Sequence, residues 1–109
     1  HPLWRHEMFL PILMLHRVAS KDEAMRLAND SDVGLTAGFY GPAAEVAWFH
    51  EHIEAGVTYA NRAQGATTGA WPGYQPFGGW KGSGSTGKAI ASFYYLPLYL
   101  REQSRTVVA

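Results

Sequence analysis

Residues 65–88 form a glycine-rich segment that holds most of the residue types able to bind a small ligand. Eight of the chain's 12 glycines lie there, and so do four aromatic residues, Trp71, Tyr74, Phe77 and Trp80. Glycine lets backbone amides approach a ligand closely, and aromatic side chains can form the wall of a pocket. Loops of this length are uncommon unless they are functional or disordered, and disordered segments are usually poor in aromatic residues. We therefore predict that this segment is a binding surface supported by the rest of the chain.

Two phosphate-binding patterns overlap near the end of this segment. Residues 82–87 match the glycine pattern of dinucleotide-binding loops, which requires a strand before it and a long helix after it. Residues 76–81 do not resemble a strand, and Pro97 shortens any helix that follows. Residues 82–88 match the first seven positions of a P-loop, but Ala89 stands where Ser or Thr should hold magnesium. We interpret both matches as glycine-rich turns with a structural role. The alternative is that the chain is a small phosphate-binding protein.

The sequence offers no convincing metal site or nucleophile. His50 and His52 are two residues apart, so on a helix they point to different sides and cannot share a metal ion. His16 lies in an apolar run, where local hydrogen bonds are the simpler expectation. The chain has no cysteine, which excludes disulfides, thiolate ligands and a cysteine nucleophile within it. We therefore predict no catalytic residue and no metal ligand in these residues.

The composition is that of a globular protein without a polyanionic partner. The 109 residues are 47% hydrophobic and 17% charged, enough for one domain. Nine basic and nine acidic residues cancel, which argues against nucleic-acid and membrane-surface binding. Neither a signal peptide nor a membrane span is visible. We expect a cytoplasmic location, or the mitochondrial matrix in a eukaryote.

The first part of the chain predicts a strand followed by a helix. Residues 9–18 are an apolar run typical of a strand that is covered on both faces. Ser20 and Glu23 have the spacing of a capping box, in which the serine accepts from the first turn and the glutamate reaches back. We predict a helix over residues 21–30.

The middle of the chain predicts a strand, a second helix and another strand. Residues 35–40 are the first strand, and Pro42 is expected at the first position of the helix. The apolar face of this helix comprises Val46, Phe49, His50 and Ile53. Gly56 is predicted to be the left-handed residue after its end, and residues 57–60 are predicted to be the next strand.

The end of the chain completes a prediction of an α/β fold. Residues 89–95 could form two helical turns before Pro97, and residues 101–109 resemble a terminal strand. Alternating strands and helices favour a mostly parallel sheet with flanking helices. So few strands leave sheet edges that need covering, so we expect the fold to be incomplete on its own.

Four motifs, in order and covering nearly the whole chain, resemble the NAD(P)-dependent aldehyde dehydrogenase superfamily. They are residues 7–11 (EMFLP), 27–38 (LANDSDVGLTAG), 54–61 (EAGVTYAN) and 75–84 (QPFGGWKGSG). The first motif is similar to the family's Glu-x-Phe-Gly-Pro, with Leu10 where many members have glycine.

Within the superfamily, residues 68–70 and 73–76 look most like the 1-pyrroline-5-carboxylate dehydrogenases. That group oxidises L-glutamate γ-semialdehyde to glutamate in proline catabolism, with NAD or NADP as cofactor. The resemblance implies that Glu7 binds the nicotinamide ribose hydroxyls and that Phe9 packs beside that ribose. It implies that the backbone at Gly69 and Ala70 anchors the substrate α-carboxylate and that Phe77 lines the aldehyde tunnel.

The resemblance also implies what this chain lacks. The family's nucleophile is a cysteine, and its general-base glutamate and nucleotide-binding domain precede the region matched here. We therefore expect residues 1–100 to be the C-terminal part of a catalytic domain and residues 101–109 to be a terminal oligomerisation strand. The expected partners are the aldehyde, the remainder of the enzyme chain and further copies of it. Alone, the chain is expected to be inactive; the alternative is a non-catalytic binding or assembly module that reuses this fold.

Overall fold

The computed structural model describes residues 1–63, 70, 75–84, 88, 90 and 92–109. These residues contain two α-helices and four strands, which are α1 (Lys21–Asn29), β1 (Val33–Gly34), β2 (Thr36–Phe39), α2 (Val46–His52), β3 (Val57–Ala60) and β4 (Trp80–Lys81). Short 3-10 helices lie at Pro2–Trp4, Ala43–Glu45 and Leu96–Tyr99. None of the helices in this part of the chain has the length and hydropathy of a membrane span.

The central unit of the described fold is a parallel strand pair with its crossover helix. β2 pairs with β3 in parallel, from Thr36 opposite Val57 to Phe39 opposite Ala60, and α2 connects them. The core of this unit is small and consists of Phe49, Ile53, Ala55 and Val57. The ring of Phe39 stacks on that of Phe49 with centroids 5.2 Å apart. The predicted strands at residues 35–40 and 57–60 are confirmed, the second with the same bounds.

Helix α1 begins as the sequence predicts. The Ser20 hydroxyl accepts a hydrogen bond of 3.1 Å from the Glu23 amide. The Glu23 carboxylate reaches back one residue further than in the standard capping box and accepts from the Ala19 amide at 2.9 Å. The helix ends at Asn29, one residue before the predicted end.

Helix α2 differs from its prediction at both ends. Pro42 is not the first helical residue; it precedes the 3-10 turn Ala43–Glu45 with an extended ψ of 141°. Phe49 and Ile53 are buried as predicted, but His50 is exposed. The left-handed role predicted for Gly56 is wrong, because Ile53 already ends the helix in an extended conformation. Glycine is required at position 56 because a Cβ there would collide with the carbonyl oxygen of Gly78.

Two further secondary-structure predictions are wrong, and a third is not tested. Residues 9–18 form no strand, and their side chains are mostly exposed, because no strand in the described part of the chain pairs with them. Residues 92–95 form turns rather than a helix, and Pro97 lies inside the 3-10 helix Leu96–Tyr99. Residues 101–109 are exposed and form no strand within the described chain, so the terminal oligomerisation strand, whose partner would be another copy, stays a prediction.

The prediction of a mostly parallel sheet with flanking helices is also corrected. The described strands form two separate pairs, β2–β3 in parallel and β1–β4 antiparallel. Because β4 runs directly into Gly82, the expectation that no strand precedes that glycine is wrong as well. The described residues after Gly82 contain no long helix of the kind that follows a dinucleotide-binding loop.

Candidate functional site

A cleft of about 640 Å³ brings residues from all four sequence motifs together. Its lining comprises Glu7, Ala28, Ser31, residues 33–37, residues 53–55, Gly82 and Ser83. The motifs are far apart in the sequence, and the β1–β4 and β2–β3 pairings bring the second, third and fourth of them together. Ligand sites in α/β proteins are usually concave and carry a few convergent polar groups, and this cleft fits that description.

Glu7 is the predicted site residue that lies on this cleft. It is exposed and belongs to an N-terminal arm that is tied to the body of the molecule. Arg5 forms a salt bridge of 2.5 Å with Asp30, just beyond the end of α1. Trp4 packs edge-on against His16, with ring centroids 5.9 Å apart. These contacts place a hydrogen-bond-accepting carboxylate at the rim of the cleft.

One side of the cleft is formed by the close approach of two backbone segments at Gly34. The Gly34 amide donates a 3.0 Å hydrogen bond to the Ser83 hydroxyl, and its carbonyl accepts one of 3.0 Å from Gly56. A Cβ at position 34 would overlap the Glu54 carbonyl oxygen, so only glycine fits. The Gly82 amide adds a 2.8 Å hydrogen bond to the Asp32 carbonyl. The segment at residues 75–84 is thereby fixed against β1.

The other predicted site residues that the structure describes are not part of the lining of this cleft. Phe9 is 91% exposed. Phe77 is half-buried, pairs with Ile90 through two backbone hydrogen bonds of 3.1 and 2.9 Å, and is not among the lining residues. Ala70 is half-buried, and Gly69 lies outside the described residues. Their substrate and cofactor roles therefore stay predictions.

No cluster of three or more histidine or acidic side chains suited to a metal ion occurs in the described ranges. His50 Nδ1 lies 3.0 Å from the Thr58 hydroxyl oxygen, and His52 Nδ1 lies 2.7 Å from the Trp48 carbonyl oxygen. The two histidines thus have separate partners, as their spacing indicated. Lys88, the basic residue of the P-loop match, places its ammonium 4.2 Å from the centroid of the Tyr94 ring.

The sequence analysis overlooked several polar residues that organise the site. Lys81, Glu54 and Asn29 form one network beside the cleft, and Asn61 binds the backbone of Gly41. All four lie inside the motifs quoted above, but their partners are 20 to 52 residues away in sequence. The spacing of residues along the sequence cannot reveal such pairs. The available signals were Lys81, for which the sequence suggests no nearby partner, and Asn29 and Asn61, which lie where α1 and β3 end.

The Thr36 hydroxyl stands out in the lining of the cleft. Its oxygen is buried, and within the described part of the chain it has no hydrogen-bond partner. An unpaired buried hydroxyl carries a desolvation cost that nothing else in these residues offsets. The unpaired hydroxyl should therefore lower stability at Thr36, the first residue of β2.

Comparison with known proteins gives the chain its family. Residues 1–103 match the model of the aldehyde dehydrogenase family. The chain belongs to the aldehyde dehydrogenase family. This agrees with the four motifs and with their meeting at one cleft.

Two relatives of this aldehyde dehydrogenase chain match most of its length. A 1-pyrroline-5-carboxylate dehydrogenase from Bacillus pumilus is 37% identical over 96% of this chain and 19% of its own length. N-succinylglutamate 5-semialdehyde dehydrogenase 2 from Caulobacter vibrioides is 42% identical over 85% of this chain and 18% of its own.

A solved structure of 1-pyrroline-5-carboxylate dehydrogenase from Thermus with bound NAD is similar in fold. The TM-score is 0.81 and the identity 38%, over 92% of this chain and 19% of that one. The chain therefore spans about a fifth of the length of the relatives that it matches.

Proposed function

We propose that this chain works as part of an NAD(P)-dependent aldehyde dehydrogenase that oxidises L-glutamate γ-semialdehyde to glutamate. The observation that carries the proposal is the meeting of all four family motifs at one cleft, with the Glu7 carboxylate at its rim. The names of the relatives support the substrate, since two of those cited act on semialdehydes of glutamate or its derivatives. We call the complete polypeptide in which the chain would act the parent enzyme.

The residues at the cleft fit a nicotinamide cofactor. The two oxygens of Glu7 can accept hydrogen bonds from the neighbouring hydroxyls of a ribose, and the side chain is exposed and accessible to them. The exposed ring of Phe9, two residues on, can pack beside the same sugar. When bound, NAD or NADP would accept the hydride that the aldehyde loses.

The substrate would be held by the glycine-rich segment. Gly69 and Ala70 have the small side chains that let backbone amides donate to an α-carboxylate without obstruction. Phe77 would form an apolar wall along the path of the aldehyde carbon chain. Binding the charged end of the substrate through fixed donors would orient the aldehyde group for attack.

The reacting groups would come from outside this chain. It contains no cysteine, so the nucleophile must be supplied by the rest of the parent enzyme, together with the general base. Residues 1–100 would then complete the catalytic domain. Residues 101–109, with Val107 and Val108 exposed by 93% and 89%, would pair with another copy as an oligomerisation strand. The parent enzyme would be cytoplasmic, or located in the mitochondrial matrix of a eukaryote.

The cofactor role of Glu7 gives a direct test. Replacing it in the parent enzyme by Glu7→Gln removes the charge but keeps the shape, and we expect KM for NAD to rise about tenfold. The control is Glu51→Gln, an exposed carboxylate on α2 that does not line the cleft. Equal KM values for NAD in both variants would contradict the assignment.

A further inference from the structure

Lys81 joins three segments of the fold that meet beside the cleft. Its ammonium lies 2.6 Å from the Asn29 carbonyl oxygen at the end of α1 and 2.5 Å from a carboxylate oxygen of Glu54. The Asn29 side chain continues the network, because its amide donates to the His52 carbonyl at 2.8 Å and its oxygen accepts from the Glu54 amide at 2.9 Å. One network thus connects the end of α1, the connection from α2 to β3, and β4.

The Lys81 side chain differs from an ordinary surface lysine in its burial and its backbone. It is 23% exposed, which is less than the 45% of Lys21, the lysine that pairs with Glu45 at 3.2 Å. Its φ is 52°, in the left-handed region that residues other than glycine seldom adopt. Residues in such conformations persist where surrounding contacts determine them. The contacts of the ammonium are therefore part of what fixes the turn after β4.

That turn belongs to the segment at residues 75–84, which also carries Phe77. The segment is also attached to the cleft by the β1–β4 pairing and by the hydrogen bonds from Gly82 to Asp32 and from Gly34 to the Ser83 hydroxyl. Both of these hydrogen bonds are neutral and lie within two residues of Lys81. The charged attachment through Lys81 reaches beyond β1, to α1 and to the α2–β3 connection.

We infer that Lys81 is a positioning residue for the aldehyde site. It acts through Asn29 and Glu54, which hold the segment that carries Phe77 in place against the rest of the fold. The expected effect of Lys81 on substrate binding rests on the proposed function. Its expected effect on the position of residues 75–84 does not. Glu54 serves as the counter-charge, so its loss should have the same kind of effect as the loss of the lysine.

The test replaces the two partners singly and together in the parent enzyme, as Lys81→Met, Glu54→Gln and the double variant. We expect Lys81→Met to raise KM for glutamate semialdehyde about tenfold or more, since small displacements of positioning groups have effects of this size. The double variant should do little further harm, because the same interaction is already lost. Lys81→Arg should recover part of the loss by keeping the charge. Lys21→Met is the matched control and should leave KM unchanged.

A second readout separates this inference from the proposed function. Hydrogen–deuterium exchange of the amides of residues 77–84 should quicken in Lys81→Met and Glu54→Gln, but not in Lys21→Met. Unchanged exchange would overturn the positioning role, whatever the activity. A lowered kcat with unchanged KM would also overturn it, since that is the result of losing folded enzyme alone. If the wild-type parent enzyme oxidises no aldehyde, the proposed function fails while the exchange experiment still decides the role of Lys81.

Discussion

The side chain of Asn61 closes the carboxyl ends of β2 and β3 by binding the backbone of Gly41 twice. Its oxygen accepts from the Gly41 amide and its amide donates to the Gly41 carbonyl, both at 2.9 Å. Asn61 itself has a φ of 50°, a left-handed conformation that asparagine tolerates better than most residues. The chain leaves this point for the glycine-rich segment. In α/β folds, ligands bind at the carboxyl edge of the parallel strands. The Asn61–Gly41 pair therefore fixes the point at which the chain leaves this edge and enters the candidate binding segment.

Replacing Asn61 should separate the two roles of this residue. Asn61→Gly keeps the left-handed backbone but loses both hydrogen bonds, whereas Asn61→Ala also strains the backbone by about 1 kcal/mol or more. We therefore expect Asn61→Ala to lower the local stability of β2 and β3 more than Asn61→Gly. Native-state hydrogen exchange of the β3 amides in the parent enzyme measures this. Equal losses would show that the conformation of Asn61 carries no strain.

Position 56 should tolerate no side chain, because the backbone of Gly78 lies directly against Gly56. A Cβ there would overlap the Gly78 carbonyl oxygen, a backbone atom with little room to move. We expect Gly56→Ala to destabilise the strand pair by about 3 kcal/mol, the upper end for overpacked sites.

Gly38→Ala is the control for this prediction. The added Cβ would meet the tip of the Tyr59 ring, which can rotate aside, so the cost should be about 1 kcal/mol. The same exchange measurement on β3 compares the two variants. A smaller loss for Gly56→Ala than for Gly38→Ala would contradict the packing described here.

The unpaired hydroxyl of Thr36 predicts an unusual tolerance. Thr36→Val removes a buried polar atom without a described partner, so stability should stay within about 0.5 kcal/mol or rise. Thr58→Val, on the paired strand, loses the 3.0 Å contact with His50 and should cost about 1 kcal/mol. The measurement is again the exchange of β2 and β3 amides. A clear loss for Thr36→Val would indicate that its hydroxyl has a partner elsewhere in the parent enzyme.

Substrate preference should depend on the small residue at position 69. Gly69→Leu in the parent enzyme would obstruct the backbone donors that we assign to the α-carboxylate. KM for glutamate semialdehyde should then rise about tenfold or more, and KM for a simple aliphatic aldehyde much less. Steady-state kinetics with both aldehydes decide the matter. Equal rises would count against carboxylate anchoring by this segment.

Local patterns in the sequence predicted the elements that depend on local contacts. The Ser20–Glu23 cap and the start of α1 follow from spacing alone, and the β2–α2–β3 unit follows from alternating strand and helix patterns. The same reasoning failed for residues 9–18, because a strand exists only with a ladder partner and none is present in the described residues. The terminal strand at residues 101–109 stays a prediction, since its ladder partner would be another copy. An apolar composition indicates that a segment should pack against another segment, but not which segment that is.

In the candidate site as well, local features could be predicted from the sequence and long-range contacts could not. Motif resemblance singled out Glu7, which lies on the cleft, and its cofactor role stays a prediction. The contacts that shape the cleft are long-range. The pairing of Lys81 with Glu54 and the collision that keeps position 56 a glycine depend on which backbones approach each other. Sequence spacing contains no information on that approach, so the left-handed role assigned to Gly56 was wrong although the need for glycine was right.

The most direct test of the account is NAD reduction by the parent enzyme with L-glutamate γ-semialdehyde, measured beside the same assay on residues 1–109 alone. We predict that the parent enzyme forms NADH and glutamate, and that the isolated chain forms neither, because it contains no cysteine to attack the aldehyde. Turnover by the isolated chain would contradict the assignment of the chemistry to the rest of the polypeptide. A parent enzyme that oxidises no aldehyde would contradict the proposed function itself.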